Sequence, residues 1–205
     1  MKEKELILTA KVVSLVFTPF YLPLTGLIAL YIFSYLNVLP LGYKLATLLF
    51  TYTFTILLPT AIIRLYRHYH GLTPLQVGRR RRLVIPYLIS IICYSVCYYL
   101  MRVNHLPHFI SSILMAALAV QMVCALINSW WKISIHTAAI GGVTGALLAF
   151  SLIFNFNPVW WLCLVLLLAG MVGTSRMILR QHTLAQVCAG FIVGLLCGFV
   201  MILIA

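Results

Sequence analysis

The sequence predicts an all-α fold, a polytopic transmembrane helical bundle of six to seven spans, and three observations predict it. Hydrophobic residues make up 64% of the chain and charged residues only 8%, against about 25% charged in an ordinary soluble domain. The mean hydropathy is +1.11. The apolar residues also fall into runs of the length a bilayer demands, about 20 residues per helical crossing, with short polar links between them.

Taken in order, these runs lie near residues 11–36, 43–64, 84–101, 107–128, 133–154, 158–175 and 184–205. The basic start MKEKELILTAK leads into the first run with no small-residue cleavage site at the expected distance, so it reads as a retained span. Pro19 and Pro23 remove backbone donors from that run, which leaves either seven crossings or six with a re-entrant start. Gly190, Gly194 and Gly198 recur every four residues in the last run, and Gly141, Gly142 and Gly145 cluster in the fifth. Small residues on one stripe let two helices approach backbone to backbone in lipid. Trp130, Trp131, Trp160 and Trp161 fall at run ends, where indole rings anchor at the membrane interface. The six cysteines form no C-x-x-C pair and read as small packing residues. The whole of 1–205 reads as a single membrane domain.

Charge narrows the chemistry. The formal net charge is +12, and the two acidic residues, Glu3 and Glu5, stand at the extreme N-terminus. No residue after Glu5 carries a carboxylate side chain, so paired-carboxylate hydrolysis, carboxylate proton relays and oxygen-ligand cation sites are excluded. Histidine, arginine and lysine remain, with no metal and no cofactor called for. Unneutralised cations imply anionic partners, here lipid headgroups or phosphate-bearing substrates. Nucleic acid is not expected, because the cations are scattered among spans with one run at Arg79 to Arg82. Under seven crossings all the basic residues but Lys44 and Arg102 share one face, which charge bias makes cytoplasmic.

Two constellations on that face carry possible chemistry. His136 follows Lys132 by four positions, so a helix begun by then would project both from one side. The pair reads either as a cation beside a proton donor or as an interfacial lysine near a hydrogen-bonded histidine. The second constellation lies in GTSRMILRQHTLAQVCAG, with Ser175, Arg176, His182 and Gln186. Thr183 and Gln186 fit a capping box that starts the last helix directly after His182. A positive helix terminus there, with Arg176 returning from the preceding span, suits a phosphoryl group and keeps the imidazole neutral.

These residues resemble the type 2 phosphatidic acid phosphatase superfamily of membrane lipid phosphatases, whose third motif is S-R-x5-H-x3-D. Ser175, Arg176 and His182 match it, and Gln186 stands at the acidic position. The second motif, P-S-G-H, is echoed by Ser134 and His136 in KISIH. The first, K-x6-R-P, is absent in that form, and its cations would come from Lys132 or from Arg82 in the RRRRLVIP run. The resemblance covers about residues 79–200, with spans 11–64 accessory. It implies hydrolysis of a phosphomonoester or diphosphate of an amphiphilic lipid, such as phosphatidate, phosphatidylglycerol phosphate or an isoprenoid diphosphate, at a bacterial inner membrane. It further implies that His182 attacks phosphorus to form a phosphohistidine while His136 protonates the leaving oxygen. Arg176, Lys132 and Arg82 would hold the non-bridging oxygens, Ser134 and Ser175 would add hydrogen bonds, and Gln186 would orient His182 without supplying charge. The competing expectation is a noncatalytic lipid-phosphate-binding or transport protein that retains the fold. A histidine-ligated haem would need two histidines facing across the bundle, whereas His136 and His182 sit at span ends among cations.

Overall fold

The computed structural model describes residues 3–33, 38–69 and 81–204. Among them there is no strand. The helices are α1 (Glu3–Val16), α2 (Leu22–Phe33), α3 (Leu41–Tyr52), α4 (Leu58–Tyr69), α5 (Arg81–Val103), α6 (His108–Trp130), α7 (Ile135–Phe154), α8 (Val159–Ile178) and α9 (Leu184–Ile204). Six segments among the described residues are long and apolar enough to cross a bilayer: Leu41–Tyr66, Pro86–Val103, His108–Trp130, Ile135–Phe154, Val159–Ile178 and Leu184–Ile204. The chain is an integral membrane protein.

The run at 11–36 is not one continuous span. It breaks after Val16 into a 3-10 turn at Pro19–Tyr21 before α2 begins. Proline lacks an N–H and its ring collides with the preceding turn, so Pro19 cannot continue α1. Six long apolar segments among the described residues agree with the six-crossing alternative.

The chain forms two compact units, one of Met1–Leu22 with His108–Ala205 and one of Pro23–Pro107. In the second, α3 passes into α4 through a π-helical segment at Thr53–Leu57. Pro59 follows at once, and widening the turn relieves the clash between its ring and the carbonyl four residues back. The Tyr31 and Thr47 hydroxyls, 2.6 Å apart, tie α2 to α3.

The first unit is built around α7 and α9, which touch through backbone. A Cβ added at Gly194 would lie 1.8 Å from the Ala138 carbonyl oxygen, and one at Gly141 would lie 2.1 Å from that of Phe191. Gly145 and Gly198 meet the carbonyls of Leu195 and Gly142 at 2.1 and 2.3 Å in the same sense. Lipid gives no hydrophobic drive for helix pairing, so close van der Waals contact between bare backbones holds the pair together. α6 packs on both, with Val120, Cys124, Ile133 and Ala138 forming a buried cluster. α1 packs along α8. All six cysteines are free. Trp130 and Trp160, at the end of α6 and the start of α8, are 77% and 86% exposed.

Candidate active site

The end of the first unit where α7 and α9 begin gathers most of the residues singled out above. Gly190 lets the start of α9 approach the 131–134 link, since a Cβ there would lie 2.5 Å from the Ser134 carbonyl oxygen. The Ser134 N–H in turn donates to the Gln186 carbonyl at 3.3 Å. Two helix N-termini therefore share one spot, and both present positive dipole ends there.

α8 delivers the other residues by its mode of ending. The Gln181 N–H donates to the Arg176 carbonyl at 3.1 Å and the Arg180 N–H to that of Met177 at 2.9 Å. With Arg180 at φ 52°, this is a Schellman turn closed by a residue other than glycine. The turn swings the chain back so that the Gln181 carbonyl accepts a hydrogen bond from Lys132 Nζ. The two loops carrying the two motifs are thus joined by a side chain as well as by backbone.

His182 stands between that turn and the first residue of α9. Gln186 Oε1 accepts from the Thr183 backbone N–H at 3.2 Å and lies 3.2 Å from His182 Nδ1. This is the N3-to-N-cap half of the capping box expected at Thr183 and Gln186. A backbone N–H can only donate, so the amide atom facing it must be the oxygen. That oxygen can only accept, so Nδ1 must carry the ring proton. The Nε2 lone pair is left for other work. Burial, then the charges of Lys132 and Arg176, push the His182 pKa down to about 4 against the Gln186 hydrogen bond, which raises it. The imidazole is neutral at pH 7. Burial and two cations act in the direction expected of the helix terminus.

His136, in the first turn of α7, lies within electrostatic reach of both Arg176 and His182, and its ring donates to the Ser14 backbone. Arg176 Nη1 donates to Ser14 Oγ at 2.5 Å. The structure thus brings His136, His182, Gln186, Arg176 and Lys132 to one end of the bundle. The shared helical face expected for Lys132 and His136 is not formed, because α7 begins at Ile135 and leaves Lys132 in the extended link. Its reach to Gln181, and its charge acting on His182, replace that pairing.

Ser134 caps α7 by position only; its hydroxyl is fully buried and meets no partner. Ser175 is buried within α8 and donates to the Met171 carbonyl at 2.7 Å, so its proton is spent on its own helix. Arg82 falls in the first turn of α5, and its side chain lies outside those described. Ser14 was not singled out by sequence. A lone serine in an apolar helix carries no local signature, and its partner is 162 residues away. Among the described residues no group of three or more His, Cys, Asp or Glu is placed to hold a metal ion.

Residues 121–205 match the PAP2 superfamily. The resemblance to the type 2 phosphatidic acid phosphatases is borne out over this stretch, which holds both histidines, Gln186, Arg176 and Lys132. PAP2 proteins are in general phosphatases. Comparison with curated proteins and with solved structures returns no match.

Proposed function

We propose that the protein is a membrane-embedded lipid phosphate phosphatase working through a phosphohistidine on His182. The observation that carries this reading is the double use of Gln186 Oε1. It fixes the proton on Nδ1 and so aims a neutral Nε2 lone pair away from the cap, beside Arg176 and Lys132.

In the first step Nε2 attacks phosphorus and the bond from phosphorus to the lipid oxygen breaks. His136, entering the step doubly protonated with one N–H on the Ser14 carbonyl, supplies from its other nitrogen the proton that the leaving oxygen needs. Arg176 and Lys132 would stabilise charge on the non-bridging oxygens. In the second step His136 takes a proton from water, which attacks the phosphohistidine and releases inorganic phosphate.

Gln186 supplies no charge to the imidazolium formed on attack. Replacing the triad aspartate of a serine protease by asparagine costs about 10⁴ in rate, through the wrong imidazole tautomer. Here the tautomer is held correctly, because the Thr183 N–H fixes which amide atom faces the ring. The loss relative to a carboxylate is accordingly that of charge alone.

The substrate we infer is a phosphatidate, a phosphatidylglycerol phosphate or an isoprenoid diphosphate in a bacterial inner membrane. The exposed Trp130 and Trp131 beside Lys132 support a site at headgroup depth, with acyl or prenyl tails among the helices. The test is phosphate release from a panel of these lipids. Wild type should release phosphate, while His182→Ala should abolish release and His136→Ala should slow it by about 10²-fold or more. The uncharged Gln186 also fits a noncatalytic lipid-phosphate binder. Release no greater than that of His182→Ala for every lipid would favour the binder over the enzyme.

A further inference from the structure

α1 lies outside the stretch that matches the PAP2 superfamily, yet its last turn enters the site. Ser14 is 9% exposed and stands two residues before α1 ends at Val16. Its hydroxyl oxygen accepts from Arg176 Nη1 at 2.5 Å, and its backbone receives the His136 ring. A single residue thus touches the guanidinium that would bind phosphate and the ring that would deliver the proton.

We propose that Ser14 is a positioning residue that sets Arg176 and His136 at a working distance from each other, making α1 an integral wall of the phosphate site. The roles of Arg176 and His136 rest on the phosphatase reading; the placement of Arg176 by Ser14 does not. A guanidinium is planar and hangs on a long flexible stem, so tying one Nη to a second helix fixes the plane in which the fork presents its donors. The carbonyl contact to His136 comes from the same residue, so movement of α1 displaces both groups together. Because the His136 contact is made by backbone, side-chain replacement at Ser14 removes the tie to Arg176 while leaving His136 held.

Threonine and valine have nearly the same shape and differ by the hydroxyl, so comparing Ser14→Thr with Ser14→Val separates hydrogen bonding from packing. The probe is inorganic phosphate, read as the rise in melting temperature of the detergent-solubilised full chain on titration. Wild type and Ser14→Thr should half-saturate within about threefold of each other, and Ser14→Val should need about tenfold more phosphate or beyond. On a lipid substrate the same loss should appear chiefly in KM. Ser14→Ala, which adds no bulk, repeats the comparison if valine impairs folding. Equal phosphate response in the threonine and hydroxyl-free variants, or no response in wild type, would overturn the proposal. A threonine–valine split in phosphate binding without lipid phosphate hydrolysis in wild type would uphold it and count against the phosphatase reading instead.

Discussion

Gln186 Oε1 lies 3.2 Å from both the Thr183 nitrogen and His182 Nδ1, so the cap of α9 and the orientation of the histidine depend on one acceptor. Gln186→Leu keeps the volume and removes that acceptor. It should cost about 1 kcal/mol of stability through the lost cap and a larger factor in phosphate release, since the ring is then free to change tautomer. Gln186→Glu should raise release at neutral pH by about fivefold, because a charged acceptor is worth roughly 1 kcal/mol more than a neutral one. The depressed His182 pKa, about 4, gives a further prediction. The proposed nucleophile is neutral above that pH and is lost by protonation as pH falls through it. The kcat/KM profile should therefore show an acid limb near pH 4 that moves upward in Gln186→Glu; a limb near pH 6.5 that ignores the substitution would contradict the placement. The Thr183–Gln186 cap was legible in sequence because it is local, four residues long and built from typical capping types. The tie from Arg176 to Ser14 was not, because nothing near either residue encodes a contact 162 positions away.

At the scale of elements, the approach of α7 to α9 keeps His136 and His182 within electrostatic reach of each other. Gly194→Ala would drive a methyl to 1.8 Å from the Ala138 carbonyl oxygen, whereas Gly170 has nothing within 4 Å of its added Cβ. Gly194→Ala should lower stability by about 1–3 kcal/mol or more as the helices separate, and activity should fall with it. Gly170→Ala should be neutral or stabilising by about 0.5–1 kcal/mol through helix propensity. Thermal unfolding of the two variants in one detergent checks the contrast. The four-residue glycine period announced a close contact but not its partner, since a stripe of small residues fits any bare backbone. The break in the first span was visible as Pro19 and Pro23, though the boundary itself depended on where the 3-10 turn could settle. The Lys132–His136 pairing failed for a boundary reason too. A helix starting at Ile135 gives Lys132 no helical face to share.

For the whole molecule, composition alone excluded a soluble fold, and six long apolar helices agree with it. The absence of carboxylates beyond Glu5 has a consequence at this scale. Neutral oxygens, the Gln181 carbonyl and the Ser14 hydroxyl, accept from Lys132 and Arg176. Neutral acceptors restrain a cation without cancelling its field, which suits the proposed phosphate site. The proposed nucleophile in that site is His182. The most direct measurement is a rapid quench of the purified protein with lipid substrate labelled at phosphorus. The predicted result is a protein-bound phosphate that survives alkali, is lost in acid and is absent from His182→Ala. Turnover with no trapped phosphoenzyme under single-turnover conditions, or label persisting in His182→Ala, would contradict His182 as the nucleophile.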